Sequence, residues 1–345
     1  QIAIYGQKRS GKSSLLNQIM GKLESDDSHS VICGKFNLQS LPEDELNPVR
    51  WILESIAKAL LQGIRKHGVR TLNKTIVSNF FAGETDAFAA LGDFIEHINT
   101  IDELKGSHFV RFIDEFTYLY KLIKDKDVNV NEDFMRRWIA LIEMPGINLQ
   151  AIVAAQDTLP HFMDESYASN CFNKFSKEPL SYLNKEEALQ LIKNPIKEVV
   201  FHNHSDELIY DYTSGSAFFI QIFCMRLVDY LNSEKSNVVG KEEIEIVADR
   251  LCTGTHRLEK STFECLTKEA DGSDYNEDDN IKVLKAIAEH TRAGGHVNME
   301  DLNVNLSQEK LKCVLDNLYA RRVISKQDKG YSINVKLFVK WILNN

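Results

Sequence analysis

Short apolar runs alternate with amphipathic stretches over the first half of this 345-residue chain. Five stretches of strand length are interpreted as strands, at 2–5, 31–38, 109–113, 147–155 and 172–180. Apolar residues at helical spacing predict helices after residue 11, for about 20 residues from Pro48, at 86–104 and at 132–144. The segment 69–84 has no clear period and predicts a loop. Strands that alternate with helices indicate an α/β fold with a parallel sheet.

The pattern becomes helical after residue 180. Four helices, which together predict a compact helical lid, are expected at 185–192, 206–212, 215–231 and 241–251. An acidic stretch at 269–280 that also carries glycine and asparagine predicts a domain boundary. Three helices and two short strands follow, at 281–290, from 299, 307–318, 322–325 and 330–333. This order predicts a winged helix-turn-helix. The predicted domains are 1–180, 181–268 and 280–345.

Composition and charge exclude several classes of protein. The charged fraction of 26% and the hydrophobic fraction of 43% are those of an ordinary soluble protein. No apolar run reaches membrane-spanning length, no secretory signal is present, and no membrane partner is expected. The net charge of −9 argues against a generally basic nucleic-acid binder. Six scattered cysteines without a C-x-x-C pair indicate reduced core thiols and a cytoplasmic setting.

One stretch near the start of the chain carries the clearest chemical signal. It fits the pattern G-x-x-x-x-G-K-[ST] and comprises Gly6, Gln7, Lys8, Arg9, Ser10, Gly11, Lys12 and Ser13, followed by Ser14. Gly6 and Gly11 allow a tight turn whose N–H groups cradle phosphates, and the helix N-terminus adds positive charge. Lys12 is expected at the β- and γ-phosphates, and the Ser13 hydroxyl at Mg²⁺. A chance glycine-rich turn is the alternative, but the position between a strand and a helix favours a Walker A loop that binds a nucleoside triphosphate.

Two adjacent carboxylates, Asp114 and Glu115, follow the apolar run at 109–113. Side chains alternate along a strand, so the two are expected to point in different directions and to have different roles. Asp114 suits the coordination shell of Mg²⁺, and Glu115 suits the polarisation of an attacking water. Taken alone, the two residues fit an alternative equally well, namely two solvated acids at the end of a strand. Together with the loop around Lys12, they predict a Walker B motif and hydrolysis of the nucleotide.

Gln156 follows the apolar run at 147–155. Ligands of an open α/β sheet bind beyond the carboxyl ends of its strands, so Gln156 is the candidate for the group that senses the γ-phosphate or fixes the water. A loop-capping amide is the alternative. Arg136 and Arg137, on the preceding predicted helix, are candidates for an arginine finger on a neighbouring subunit, although most helix arginines are solvated.

The chain resembles the STAND class of P-loop NTPases, in particular its prokaryotic branch close to the archaeal ATPases and AAA+ initiators. The resemblance rests on both motifs, QKRSGKSSLL at 7–16 and IDEF at 113–116, and on PLS at 179–181, EEA at 186–188, LI at 191–192, TSG at 213–215, FFIQ at 218–221 and KLFVKWI at 336–342. The family often has Gly-x-Pro where this chain has Gly215, Ser216 and Ala217. The adenine contact of that proline is therefore not carried over to Ala217.

The resemblance implies a switch that binds ATP or ADP with Mg²⁺, hydrolyses ATP and passes between monomer and oligomer. It implies an attached N-terminal effector and a C-terminal sensor, and many prokaryotic members act in antiviral defence. Because Gln1 already adjoins the predicted strand that precedes the phosphate loop, the sequence is expected to be a piece of a longer chain.

The alternative is an AAA+ DNA-binding ATPase of the initiator or transposition-regulator kind. Residues 280–345 carry 11 Lys and Arg against 6 Asp and Glu, which favours it. Against it, the candidate recognition helix 307–318 mixes Lys310 and Lys312 with Glu309 and Asp316 and contains no arginine, the residue most used to read bases. A scaffold with an inactive site is disfavoured, because every catalytic residue type is present.

Overall fold

The computed structural model describes residues 1–26, 30–42, 44–69, 72–83, 86–119, 134, 136–141, 143, 149–156, 174–268, 276–291, 295–327 and 330–345. The chain forms two compact units. The first comprises Gln1–Gly6 and Lys12–Pro179, and the second comprises Gln7–Gly11 and Leu180–Asn345. The tip of the predicted phosphate loop therefore groups with the second unit, although both of its flanks belong to the first.

The first unit contains a parallel sheet, as the sequence predicts. Its described strands are β1 (Ile2–Tyr5), β2 (Val31–Asn37), β3 (His108–Asp114), β4 (Leu149–Ala155) and β5 (Ser176–Pro179). They are hydrogen-bonded in the order β2-β3-β4-β1-β5, and every pair is parallel. Strands β3 and β4 are buried almost throughout, as expected for a sheet covered on both faces. The starts of the strands predicted at 147–155 and 172–180 lie outside the described residues.

Helices of the first unit are α1 (Lys12–Glu24), α2 (Pro48–Lys66), α3 (Ile76–Phe80) and α4 (Ala87–Asn99). The side chain of Asn47 caps α2 by accepting from the Arg50 N–H, and Pro48 occupies its first turn. The loop predicted at 69–84 is wrong in part, because it contains α3. A five-residue helix is too short to show a period in sequence, and Val77 ties it to the core. Residues 136–141 are helical, while the remainder of the helix predicted at 132–144 falls mostly outside the described part of the chain.

Strand β2 and helix α2 pack backbone against backbone. A Cβ atom on Gly34 would lie 2.8 Å from the carbonyl carbon of Ala59, and one on Gly63 would overlap the carbonyl oxygen of Cys33. Glycine at both positions lets the helix lie unusually close to the strand. Strand β2 in turn pairs with β3, the strand that ends at Asp114.

The second unit is mainly helical. Its described helices are α5 (Lys185–Lys193), α6 (Ser205–Thr213), α7 (Ala217–Glu234), α8 (Lys241–Cys252), α9 (Glu264–Thr267), α10 (Glu277–Thr291), α11 (Gln308–Ala320) and α12 (Lys336–Ile342). Its described strands form two pairs, β6 (Val200–Phe201) with β7 (Val238–Val239), and β8 (Ile324–Gln327) with β9 (Gly330–Ile333). The helix, short 3-10 helix at Met299–Asp301, helix and antiparallel hairpin follow the order that the sequence predicts for a winged helix.

One hydrophobic core runs through the second unit. Phe263 stacks on Phe219 of α7 with ring centroids 5.4 Å apart, and lies 5.2 Å from Phe338 of α12. The indole N–H of Trp341 donates to the Leu258 carbonyl at 2.7 Å. Helices of the predicted lid thus share their core with the elements after residue 276. The division at 269–280 remains a prediction, and 269–275 lies outside the described residues.

The described cysteines are free thiols. Burial raises the pKa of Cys33 and of Cys252 to about 12, as expected for inert core thiols. Cys313 is exposed, so the core assignment is wrong for that residue. Cys171 lies outside the described residues. Among the helices that the structure describes, none combines the length and apolar character needed to cross a membrane.

Candidate nucleotide site

The loop between β1 and α1 has the backbone that a phosphate loop needs. The N–H of buried Gly6 donates to the Ala155 carbonyl at 3.3 Å, which ties the start of the loop to the end of β4. Gly11 has a φ of 96°, in the left-handed region that glycine adopts without strain. Arg9 also has a positive φ, of 68°. The tight turn therefore uses Gly11 and also Arg9, whose left-handed conformation sequence reasoning missed.

Lys12 begins α1 and is 6% exposed. Its ammonium group donates to the Gly6 carbonyl at 2.9 Å, so the side chain folds back over the loop. Ser13 and Ser14 follow in the first turn of α1, and both are exposed. The N-terminal end of this helix contributes the positive partial charge that favours an anion.

Asp114 is the last residue of β3 and is 4% exposed. Its Oδ1 accepts from the N–H of Glu115 at 3.1 Å, and its Oδ2 lies 3.5 Å from the ammonium group of Lys35. Lys35 is on β2, and its ammonium group also donates to Oδ1 of Asn17 on α1 at 2.8 Å. Sequence reasoning missed Lys35, for which the available signal was a charged residue inside a predicted strand.

Glu115 lies just beyond the strand with a φ of 54°, a left-handed conformation uncommon for residues with a side chain. The next residue, Phe116, donates its N–H to the Ala154 carbonyl at 2.7 Å. The prediction that strand alternation directs the side chains of Asp114 and Glu115 to different sides is therefore wrong in its reason, because Glu115 lies outside the strand. The chain leaves the strand at Asp114, and a left-handed turn sets the direction of Glu115. Such conformations cost free energy and cluster at functional sites.

The side chain of Gln156 lies beside that of Glu115. Its amide Nε2 donates to Oε2 of Glu115 at 3.4 Å, and its backbone N–H donates to Oγ1 of Thr117 at 2.6 Å. Thr117 is buried, so it holds the first residue after β4 against the segment that follows β3. Sequence reasoning missed Thr117, for which no motif gives a signal. The neighbouring Asp157 lies outside the described residues.

These groups follow three neighbouring strands. In the order β3-β4-β1, parallel pairing brings the carboxyl ends of the strands to one edge, where Asp114, Gln156 and the phosphate loop follow. The hydroxyl of Ser13 and the carboxylate of Asp114 are hard oxygen donors, which suit Mg²⁺ completed by nucleotide phosphates. In the part of the chain that the structure describes, no group of three or more His, Cys, Asp or Glu side chains forms an all-protein metal site.

Loop residues also contact the rest of the second unit. The Arg9 guanidinium donates to the carbonyls of Ser261 and Thr262 at 3.3 and 3.1 Å, and lies 4.5 Å from the ring centroid of Phe218. The amide of Gln7 donates to the carbonyl of Arg321, the residue that follows α11.

Arg137 is engaged within the first unit. It forms an ion pair with Asp86 and lies 4.6 Å from the ring centroid of Phe88. The hydrogen bond from Arg137, followed by the N–H of Ala89, holds the pKa of the Asp86 carboxyl below its usual value. Arg136 is exposed. A role for either arginine as an arginine finger remains a hypothesis. In this structure Arg137 packs against the start of α4 through Asp86 and Phe88.

No protein-family model matches the sequence, and no curated protein matches it. Among solved structures, the Walker-type ATPase PABY2304 of Pyrococcus abyssi is similar over 100% of this chain and 91% of its own, with a TM-score of 0.62 and 14% identity. The ORC2 protein of Aeropyrum pernix, in ADPNP–ADP complexes, is similar over 99% of this chain and 85% of its own, with a TM-score of 0.59 and 14% identity. This chain therefore has the fold of P-loop ATPases.

Proposed function

We propose that this chain is a P-loop ATPase that hydrolyses ATP with Mg²⁺. The observation that carries the proposal is the pairing of Gln156 with Glu115 at 3.4 Å, directly beside Asp114. A carboxylate and an amide that face each other at the edge of a parallel sheet can hold a water between them and a phosphate. Two solvated acids at a strand end would not need this partner. The fold shared with a Walker-type ATPase supports the same assignment.

In this mechanism each residue of the site has one role. Lys12 binds the β- and γ-phosphate oxygens together with the N–H groups of the loop. Ser13 and Asp114 hold Mg²⁺, which supplies charge neutralisation at the phosphates when bound. Glu115 accepts a proton from the attacking water, and Gln156 orients that water through its amide. Adenine is the proposed base, a choice supported by the adenine nucleotides named for the similar ORC2 structure.

We further propose that hydrolysis operates a signalling switch of the STAND kind. The contacts of Arg9 and Gln7 support this, because residues that surround the phosphates are bonded to carbonyls of the second unit. A change at the phosphates that moves this loop would alter those bonds, and such a shift would control self-oligomerisation and an attached effector. Antiviral defence in prokaryotes is the proposed setting.

An AAA+ DNA-binding ATPase is the competing function, favoured by the positive charge of residues 280–345. The contacts of α11 argue against it. Its residues Val314, Leu315 and Leu318 are buried in the core. Lys310, on the same helix, forms an ion pair with Asp279 at 2.5 Å. A recognition helix needs its cations directed to phosphates and bases.

The ATPase proposal is tested with Glu115→Gln and Lys12→Ala, with hydrolysis measured in a single-turnover assay and ATP affinity by calorimetry. Glu115→Gln should bind ATP and Mg²⁺ normally and hydrolyse about two to four orders of magnitude more slowly, the usual worth of a positioned base. Lys12→Ala should lose ATP binding while the chain still folds, because it removes a charge-assisted phosphate contact. Loss of its hydrogen bond to the Gly6 carbonyl should lower the melting temperature only modestly. Normal ATP affinity in Lys12→Ala would refute the proposal.

The switch proposal is tested with Arg9→Ala, by following ADP release in a stopped-flow instrument. Loss of the contacts with Ser261, Thr262 and Phe218 should speed ADP release about tenfold, since these bonds restrain the loop. Arg226→Ala removes an exposed arginine paired with Asp229 on α7 and serves as the control. If Arg9→Ala and Arg226→Ala release ADP at the same rate, the proposed coupling between the loop and the second unit is wrong, while the ATPase proposal still stands.

A further inference from the structure

Lys35 forms an ion pair with Asp114, the carboxylate that is proposed to hold the metal. It lies on β2 opposite Phe112 in the parallel register, two residues before the position opposite Asp114. Its side chain is 23% exposed, and its ammonium group lies 3.5 Å from Oδ2 of Asp114. The mechanism above assigns this lysine no role.

The ammonium group of Lys35 lies farther from Asp114 than from a second partner, Asn17. The ammonium group makes its shorter contact, at 2.8 Å, with Oδ1 of Asn17 on α1. Asn17 therefore places the positive charge beside the carboxylate without a close hydrogen bond to it. A lysine that served only to neutralise Asp114 would donate to it at ordinary hydrogen-bond distance.

We propose that Lys35 is a positioning residue that weakens the binding of Mg²⁺ at Asp114, an inference that rests on the proposed ATPase function. A divalent cation held by Ser13, Asp114 and the nucleotide brings a second positive charge close to the Lys35 ammonium group. Two positive charges that lie close together repel each other, and the half-buried position of Lys35 limits screening of this repulsion by solvent. Lys35 thus makes retention of the metal depend on the phosphate oxygens of the nucleotide.

Loss of the ammonium group would also remove one contact that orients the Asp114 carboxylate. At 3.5 Å, the contact between Lys35 and Asp114 is longer than the hydrogen bond that Oδ1 of Asp114 accepts from the N–H of Glu115, at 3.1 Å. Asp114 is, in addition, buried at the end of a paired strand, which restricts its rotamers. The removed repulsion therefore outweighs the lost orientation, and substitution of Lys35 should tighten metal binding.

The test measures metal affinity in the ADP complex of the whole chain, where no hydrolysis takes place. Mn²⁺ serves as the probe, because its electron paramagnetic resonance signal counts free and bound metal. Lys35→Met should bind Mn²⁺ about tenfold more tightly, the effect expected of one nearby charge. Lys35→Arg keeps the charge and should stay within about twofold of the unaltered chain. Lys35→Gln replaces Lys35→Met if the latter fails to fold.

Lys58→Met is the matched control, because Lys58 is an exposed lysine of α2 that pairs with Glu54 at 2.7 Å. It should leave Mn²⁺ affinity unchanged. Equal or weaker Mn²⁺ binding in folded Lys35→Met overturns the proposal. So does weaker ADP binding without metal, which would make Lys35 a phosphate ligand. Failure of the unaltered chain to bind ADP would instead overturn the ATPase function on which the inference rests.

Discussion

Two aspartates, one in each unit, share the same burial and the same kind of partner and yet have different surroundings. Asp114 and Asp279 are each 4% exposed, and each faces lysine. Asp279 lies in the first turn of α10, with Lys310 of α11 at 2.5 Å from Oδ2 and Lys282 at 3.3 Å from Oδ1. Among the described residues, Asp114 forms its ion pair with the ammonium group of Lys35 at 3.5 Å.

The different lysine contacts indicate that Asp279 is a structural carboxylate, whereas Asp114 can take a ligand. Both oxygens of Asp279 have close cations, and the helix N-terminus adds favourable charge, so the residue fastens α10 to α11. The lysine beside Asp114 has its shorter contact elsewhere, on Asn17. Asp114 keeps an oxygen able to accept a metal ion or its water. Burial and charge alone would not have told these two residues apart.

The largest contrast is expected between Asp114→Asn and Asp279→Asn. Asp114→Asn should weaken Mg²⁺ binding on the order of 100-fold and lower hydrolysis at subsaturating Mg²⁺, because an amide is a poorer ligand than a carboxylate. Asp279→Asn should leave hydrolysis unchanged and lower the free energy of unfolding by about 1–2 kcal/mol, a small value because its lysines are more than half exposed. Hydrolysis assays and urea denaturation check both expectations.

Two results would remove this contrast. If Asp279→Asn changes hydrolysis as much as Asp114→Asn does, the two carboxylates do not divide into structural and metal-binding roles. If Asp114→Asn and Glu115→Gln behave alike in Mg²⁺ titrations, the proposed division of roles within the predicted Walker B pair is wrong instead.

A smaller effect is expected on acidification. The hydrogen bond from Lys310, followed by that from Lys282, lowers the pKa of Asp279. A carboxyl with a lowered folded-state pKa stabilises the protein above its unfolded value, and that stability is lost as the pH falls through the folded-state pKa. The unaltered chain should therefore exceed Asp279→Asn in stability from neutral pH down to about pH 5, and the gap should close in more acidic buffer. Thermal melts of both proteins across this range test it, and a gap that persists at the lowest pH would contradict it.

The smallest effect is expected for DNA. Because Lys310 is bound to Asp279, we expect the whole chain to bind a duplex weakly, and Lys310→Met to change that affinity less than about twofold. Fluorescence anisotropy at low and moderate salt is the measurement, since each neutralised phosphate contributes to a steep salt dependence. Tight binding that Lys310→Met weakens would favour the DNA-handling alternative. Point substitution is needed here, because truncation near Asp279 would expose the core shared by Phe219, Phe263 and Phe338.

The sequence by itself determined the α/β fold and the parallel sheet, and it predicted a Walker A loop between β1 and α1. Apolar runs of strand length set the sheet, and a contiguous motif carries its chemistry in local backbone geometry, so neither depends on distant residues. It also predicted that Asp114 and Glu115 act as a functional pair, which stays a prediction. These are the features in which local pattern and overall fold agree.

Only the tertiary structure decided which side chains meet at the edge of the sheet. Lys35 reaches Asp114, and Gln156 reaches Glu115, because β2, β3 and β4 are neighbours in an order that no local pattern encodes. The left-handed turn at Glu115 and the close packing of Gly63 on Cys33 likewise depend on contacts between distant segments. Side-chain charge is a property of the residue, whereas its partner is a property of the fold. The distinction between Asp114 and Asp279 therefore lies beyond what sequence can show.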